Sequence, residues 1–156
     1  NGMTKEQYLE KLREVATVRE VGSDAFWPTQ KGEMAMFMDD VWYAVTFSSE
    51  QIPSADVVKS LDVSILQENI LTPLLGIKDP REDERIFFIG GIRGLTELER
   101  RVHTDCEVAF AMYPTSIDEL FDVADAGRLM PPKSTWFEPK LRSGLFIHAL
   151  DSIDKY

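Results

Sequence analysis

A chain of 156 residues has the length of one domain, and its 17 basic and 27 acidic side chains give a formal net charge of −10. Proteins that bind DNA or RNA use lysine and arginine to displace counterions from phosphates, so this charge argues against nucleic acid as a partner. The single cysteine, Cys106, excludes a disulfide framework and a thiolate zinc cluster. No apolar stretch approaches the length of a membrane span and no signal peptide is visible. We therefore expect a cytoplasmic protein with no membrane partner.

The first third of the chain predicts a helix, an edge strand and a hairpin. Thr4 is a candidate N-cap for a helix that runs to about Val15 with an apolar stripe on one side. Residues 17–21 alternate weakly, which favours an edge strand. Residues 33–38 and 41–47 are two β-like runs separated by a pair of aspartates, a pattern that indicates a hairpin.

The middle of the chain predicts one helix and one short strand. Asp62 is a candidate N-cap for a helix over residues 63–75, and Gly76 is suited to end it. Pro73 lies awkwardly in the last turns of that helix. Residues 86–89, Ile-Phe-Phe-Ile, predict a strongly apolar strand, which ends in two glycines.

The last third alternates between the two kinds of element. Residues 95–102 predict a helix and residues 107–113 an apolar strand. Ser116 begins a capping box that opens a helix to about residue 126, with a glycine directly after it. Residues 145–150 predict a final strand. Taken in order, the elements predict a single domain, residues 1–156, with an α+β fold of mixed α/β layers. We expect a sheet of five to six strands, including the N-terminal hairpin, covered by three to four helices.

The loop over residues 130–140 is the segment in which we expect binding. It holds three prolines, two lysines, two hydroxyl side chains and two aromatic rings. Proline excludes a helix or central strand here, and shaped loops of this kind often carry binding chemistry. The predicted contacts, to an anion or to another domain, come from Lys133, Ser134, Thr135, Trp136 and Lys140. No catalytic residue, no metal ligand and no cofactor site is predicted in this chain.

The same loop has the spacing of a phosphate-binding P-loop, because Gly127 is followed after four residues by Pro132-Lys133-Ser134. Proline replaces the second glycine, however, and it has no N–H with which to hold a phosphate. A helix also precedes the loop, where a P-loop needs a strand. The interpretation that remains is an anion held by the side chains of Lys133, Ser134 and Thr135.

The other residues that could carry chemistry have structural interpretations. His103 lies at the end of a predicted helix, where a cation suits the helix dipole, and Cys106 begins an apolar strand. The acidic residues of the helix that begins near Ser116 fit a solvated face better than a metal site. The glycines at 90, 91 and 94 follow a predicted strand, and their spacing fits a tight turn better than a dinucleotide-binding motif.

Three blocks of the sequence resemble one large bacterial and archaeal family, which is catalogued as domain of unknown function ten-fifteen and often labelled ParB-like. The first is Met130-Pro-Pro-Lys-Ser-Thr-Trp-Phe-Glu-Pro-Lys-Leu-Arg-Ser-Gly-Leu145, and it resembles the C-terminal signature of the family. The others are residues 61–66 together with 74–77, and residues 109–116. The Asn1-Gly2 start before an acidic helix is similar as well. The resemblance covers nearly the whole chain.

The resemblance implies that this chain is the C-terminal domain of a longer protein. Full-length members carry an Asp-Gly-His-His-Arg stretch upstream, reminiscent of the nucleotide-binding cores of ParB and sulfiredoxin, and this chain lacks it. The resemblance thus implies an accessory domain without catalysis of its own, which packs on the N-terminal domain of its own chain or completes a site there. A nucleotide is compatible with the full-length protein, and a homodimer with the sequence.

Two alternatives stay open. The chain could contribute phosphate-binding residues to a nucleotide-dependent small-molecule kinase, similar to the free-serine kinases of the wider ParB and sulfiredoxin group. It could instead belong to a DNA-associated partition or regulatory protein, although the charge of −10 counts against that for this segment.

Overall fold

The structure is a computed structural model, and it describes residues 2–53 and 55–135. Four strands and four α-helices are defined in these ranges. The strands are β1 (Thr17–Gly22), β2 (Glu33–Met38), β3 (Val41–Thr46) and β4 (Ala109–Met112). The helices are α1 (Lys5–Val15), α2 (Asp62–Leu66), α3 (Gly94–Thr104) and α4 (Ile117–Asp125), with a π-helical segment at Gln67–Leu71 and a 3₁₀ turn at Gly91–Arg93. This is the α+β class that the sequence predicts.

The four strands form one antiparallel sheet in the order β1-β3-β2-β4. The predicted hairpin is confirmed, since β2 and β3 pair along their whole length. Asp39 and Asp40 form its two-residue turn with φ angles of 52° and 62°. Both central residues of a tight hairpin turn commonly have positive φ, because that twist matches the twist of the strands. The predicted edge strand is confirmed as β1.

Helices cover both faces of the sheet, and β2 lies at its centre with all six residues buried. On one face the core joins α1 and the α2 region to the sheet; its fully buried members include Leu12, Met36 and Ile70. On the other face α3 packs through Leu95 against Phe37 and Trp42. Burial of apolar side chains on both sides of a central strand is the main contribution to stability in such a layered fold.

The first helix begins as its sequence indicates. The Thr4 hydroxyl accepts a hydrogen bond from the backbone N–H of Gln7, and the Gln7 side chain accepts one from the backbone N–H of Thr4. This reciprocal capping box satisfies two N–H groups that the helix itself cannot bond. Tyr8, Leu9 and Leu12 then turn the apolar side of α1 towards the sheet.

The predicted helix over residues 63–75 differs from the structure in two respects. Asp62 is not its N-cap: Leu61 holds that position, and Asp62 lies in the first turn with its carboxylate bonded elsewhere. The helix also widens at Gln67–Leu71, where Thr72 N–H donates to the Gln67 carbonyl five residues back. Pro73 accounts for the change, since it has no N–H and its ring clashes with the carbonyl four residues earlier in a regular α-helix.

The strand predicted at residues 86–89 is wrong. The segment has no strand pairing, and Phe87 and Phe88 remain nearly half exposed. Arg85, just before it, donates to the carbonyl oxygens of Leu75 and Gly76 and so holds the segment against the end of the α2 region. A run of four apolar residues cannot distinguish a strand from a packed irregular segment by periodicity alone.

Four strands are therefore defined in the described ranges, fewer than the five to six predicted. The strand predicted at residues 145–150 lies outside the described residues. Within the described ranges, no helix combines the length and the apolar character needed to cross a membrane.

Candidate functional site

Of the five predicted contact residues, the structure describes three. Lys133, Ser134 and Thr135 end the described chain, and Trp136 and Lys140 lie outside the described residues. The Ser134 hydroxyl donates to the Pro131 carbonyl at 2.6 Å, and the Ser134 N–H bonds the same oxygen at 3.3 Å. The Thr115 hydroxyl donates to the Ser134 carbonyl at 3.3 Å. The loop over residues 131–135, here called the proline loop, is thus a defined turn tied to the chain just after β4.

Lys133 is the member of this loop that is suited to bind a ligand. It is exposed, it has a φ of 60°, and it forms no ion pair with any residue of the described ranges. A positive φ is uncommon for a residue with a side chain and persists where the surrounding turn imposes it. Because the Ser134 hydroxyl already donates within the loop, an anion here would depend on Lys133 and on Thr135.

Helix α4 precedes the proline loop and is joined to the turn before β2 by an ion pair. Its capping box is the predicted one: Ser116 Oγ accepts from Glu119 N–H at 3.1 Å, and Glu119 Oε2 accepts from Ser116 N–H at 2.8 Å. The other oxygen of Glu119 pairs with Lys31 at 2.6 Å. Val123 is the one buried residue of α4. Two large apolar residues of α4, Ile117 and Phe121, remain more than half exposed.

The uncovered surface consists of Ile117, Phe121 and Leu129, which are 67%, 58% and 88% exposed. Ile117 and Phe121 are four residues apart in α4 and so lie on the same side of the helix. Leu129 follows two residues after Gly127, whose φ of 64° turns the chain at the end of α4. These three residues, here called the α4 face, form an apolar surface next to the proline loop in sequence.

Three carboxylates fasten the turn over residues 29–33, which leads into β2. Glu33 accepts from both the N–H and the hydroxyl of Thr29, at 2.6 and 2.9 Å. Asp62 of α2 accepts from the N–H of Gly32 at 3.0 Å. Glu119 of α4 pairs with Lys31, as described above. The turn therefore joins the central strand to two helices that are far apart in sequence.

The pKa values of the two helix carboxylates of this cluster, Asp62 and Glu119, are shifted in opposite directions. Burial raises the pKa of Asp62 to about 6, since removal from water disfavours the charged form, and the hydrogen bond from Gly32 offsets this only in part. Burial also opposes the charge on Glu119, but the hydrogen bonds from Lys31 and Ser116 outweigh it and lower the pKa of that group. A carboxyl group that titrates near neutral pH is a frequent property of functional sites and of buried structural pairs alike.

A wide, open groove connects these features within the described part of the chain. Asp62, Ser116 and the proline loop are among the residues that line it, and β4 lines it through Phe110 and Met112. The rest of its wall is largely apolar and includes Leu71, Leu75, Ile77 and Ile86. The structure therefore brings the proline loop and Asp62 to the same surface depression, which the sequence did not predict.

The remaining candidates named in the sequence have structural partners. His103 pairs with Asp40 of the hairpin turn, and this hydrogen bond raises the pKa of the imidazole. Cys106 is partly buried, which raises the pKa of its thiol and makes it a poorer nucleophile. The glycines near residue 90 form a turn and a 3₁₀ segment before α3. Among the described residues, no three His, Cys, Asp or Glu side chains are arranged to hold a metal ion.

Sequence reasoning missed the Lys31–Glu119–Asp62 cluster. The capping box revealed one role of Glu119, but the contact of its second oxygen with Lys31 spans 88 positions and has no local signal. Asp62 gave a signal that pointed to the wrong role, because an aspartate before an apolar helix is the expected N-cap. The comparisons with known proteins add no further constraint: no protein-family model, no curated protein and no solved structure matches this chain.

Proposed function

We propose that this chain is an accessory domain without catalysis of its own, which packs against the N-terminal domain of its own protein. In this proposal it is the C-terminal domain of a cytoplasmic ParB-like protein of the domain-of-unknown-function family ten-fifteen. The family assignment rests on the three sequence blocks described above. The docking role rests on the α4 face.

The α4 face carries the proposal because its three residues are apolar and exposed, and two of them, Ile117 and Phe121, lie on the same side of α4. Exposure of the Ile117 and Phe121 side chains to water is unfavourable, and neighbouring apolar residues on a surface mark contact sites on soluble proteins. Phe121 and Leu129 do not line the groove described above. Small molecules bind mostly in concave pockets, so a protein surface is the better match. The proline loop begins six residues after the end of α4 and would lie at the edge of such an interface.

We expect substitution of Phe121 by aspartate to weaken docking by roughly 30-fold or more, which corresponds to a buried aromatic contact of about 2 kcal/mol. The measurement is isothermal titration of the chain with the separately produced N-terminal portion of its protein. The half-exposed ring contributes little to the fold, so the melting temperature should change little.

Ile92→Asp is the matched control, because Ile92 is 80% exposed in the 3₁₀ turn before α3 and belongs to another element. It should leave the affinity unchanged. Equal binding by Phe121→Asp and the unaltered chain would show that the α4 face is not the interface. Equal weakening by both substitutions would show that the contact is not localised there.

A second candidate function is supported by Lys133. In this case the domain completes a nucleotide or phosphosubstrate site of a small-molecule kinase, with Lys133 as the anion contact and Thr135 beside it. An exposed lysine that is unpaired within the described ranges and held at a positive φ is the observation in its favour. The polar contacts of Ser134 within the loop argue for a preformed turn rather than for direct ligand binding by its hydroxyl.

If the second candidate is right, we expect Lys133→Met to weaken binding of ATP to the assembled protein by about tenfold or more, the effect of losing one charged hydrogen bond. Methionine keeps the unbranched stem and the same backbone demand and removes only the charge. Lys11→Met is the control, because Lys11 is an exposed lysine on α1. Unchanged ATP binding in Lys133→Met would remove this candidate and leave the docking role untouched.

A further inference from the structure

We infer that the groove described above is a binding site for a small primary amine, whose ammonium group pairs with Asp62 and whose apolar chain lies along the groove wall. This goes beyond the docking role of the α4 face, since it concerns a different surface and a different ligand. Three observations carry it: a buried carboxylate without a counter-ion, a free oxygen on that carboxylate, and an apolar wall in the same groove.

Asp62 is a buried carboxylate that has no counter-ion within the described part of the chain. It is only 9% exposed, yet it forms no ion pair with any described residue. Lys31 acts on it electrostatically, but the Lys31 ammonium is paired with Glu119. A buried charge is costly unless it is paired. A cationic ligand would supply the missing partner.

The two oxygens of the Asp62 carboxylate have different surroundings. Oδ1 accepts a hydrogen bond from Gly32 N–H at 3.0 Å, whereas Oδ2 accepts none from a described residue. Among the described residues, only Arg101 has fully buried side-chain N or O atoms without a hydrogen-bond partner, so Oδ2 is not sealed inside the protein. Asp62 lines the groove. Its second oxygen is therefore available to a ligand there.

This arrangement selects an ammonium group over a guanidinium or a metal ion. A guanidinium binds best through two parallel hydrogen bonds to both carboxylate oxygens, and Oδ1 already has a donor. An ammonium is a point charge that can bind through one oxygen. A divalent metal ion needs several oxygen ligands, and no three His, Cys, Asp or Glu side chains of the described ranges are arranged to hold one.

The charges around Asp62 also favour a cation. Glu119 of α4 and Lys31 of the turn before β2 are the charged groups that act on Asp62, and the effect of the Glu119 carboxylate is the larger of the two. Along the groove as a whole, acidic side chains outnumber lysines and arginines by nine to six. A cleft with an excess of one sign of charge attracts ligands of the opposite sign.

The wall of the groove supplies the contact surface for an apolar chain. Leu66 follows Asp62 by four residues, so the two lie on the same side of α2. Leu66 and Leu71 belong to the larger core, and Phe110 and Met112 are partly buried and pack against it. All four line the groove. Small-molecule sites commonly combine such apolar walls with a few polar groups that fix the orientation of the ligand.

Isothermal titration of the whole chain with hexylamine at neutral pH tests the inference. We expect hexylamine to bind, and hexan-1-ol, which has the same chain without the charge, to bind at least about tenfold more weakly, the effect of losing one charged hydrogen bond. Asp62→Asn should weaken hexylamine binding by at least about tenfold as well. Asparagine keeps an oxygen that can accept from Gly32 N–H, so the fold should be retained.

Asp122→Asn is the matched control, because Asp122 is exposed and does not line the groove, and its substitution makes the same change in net charge. It should leave the affinity for hexylamine unchanged. Equal binding by Asp62→Asn and the unaltered chain, or no binding by the unaltered chain, would overturn the inference. Equal weakening by both substitutions would show a general attraction between charges instead of a site.

The affinity of the unaltered chain for hexylamine should depend on pH. The pKa of Asp62 is about 6, so most of the carboxyl groups are protonated near pH 5 and binding should be about tenfold weaker there than near pH 7. Hexylamine stays charged over this range, as lysine does. The weak binding of hexan-1-ol should not change, and an affinity for hexylamine that is constant over the same range would contradict the role of Asp62.

A competition experiment separates a small molecule from a protein side chain as the source of the ammonium group. The separately produced N-terminal portion of the protein should leave hexylamine binding unchanged. Displacement of hexylamine by that portion would assign the groove to a protein interface and overturn the inference, while the docking role of the α4 face would stand.

Discussion

Replacement of Trp42 by alanine is expected to lower the free energy of unfolding by about 3–5 kcal/mol. Trp42 is fully buried between the sheet and α3, and its ring centroid lies 4.9 Å from that of Phe37. Its indole N–H also donates to Glu99 of α3 at 3.0 Å. The substitution therefore leaves a large cavity, removes an aromatic contact and leaves the Glu99 carboxylate without this partner.

The loss is large against the total stability of a domain of this size, which is about 5–15 kcal/mol. Urea unfolding followed by circular dichroism measures it. Trp27→Ala is the matched control, because Trp27 is half exposed and its removal should change stability by less than about 1 kcal/mol. Similar values for the two variants would contradict the packing of α3 on the sheet through Trp42.

Substitution of Asp62 by asparagine is expected to stabilise the protein at neutral pH, by on the order of 1–3 kcal/mol. The pKa of Asp62 rises from 3.8 to about 6 on folding, so the folded state binds this proton more tightly than the unfolded state. The charged carboxylate thus lowers stability above pH 6. Asparagine removes the charge and keeps an oxygen that can accept the hydrogen bond from Gly32 N–H.

The effect of Asp62→Asn on stability should depend on pH. Wild-type stability should fall as pH rises from about 4 through 6, and the advantage of Asp62→Asn should appear over that range and vanish below it. Asp56→Asn is the control of opposite sign: hydrogen bonds from the N–H groups of Lys59 and Val58 lower the pKa of Asp56, so its loss should destabilise at neutral pH. A destabilised Asp62→Asn at pH 7 would instead mean that the fold uses that negative charge, beside Lys31.

The sequence predicted best those parts of the fold whose causes are local. The N-cap at Thr4, the capping box at Ser116 and the hairpin turn at Asp39-Asp40 each depend on residues within four positions of one another. The strand prediction for residues 86–89 failed because contacts distant in sequence position this segment. Arg85 donates hydrogen bonds to carbonyl oxygens nine and ten residues earlier in the chain.

The candidate site likewise has one part that could be predicted from local sequence and one part that depends on tertiary packing. The proline loop was predicted from its composition, and its turn at Ser134 fits that prediction. The groove that brings Asp62 and Lys133 to one surface depends on how α2, α4 and β4 pack, and no spacing in the sequence reports it. The contributions of Trp136 and Lys140 stay predictions, since both lie outside the described residues.

The hairpin turn has a consequence for the whole layered structure. Asp39 and Asp40 both have positive φ, a backbone conformation that asparagine and glycine adopt at lower cost. Each carboxylate nevertheless has a partner. Asp39 pairs with Lys5 of α1 at 2.6 Å, and Asp40 pairs with His103 of α3. The two helices lie on opposite faces of the sheet. The two adjacent aspartates thus contact one helix on each face of the sheet, at the same end of the central hairpin. An Asn-Gly turn would relax the backbone there and remove both of these contacts to the helices.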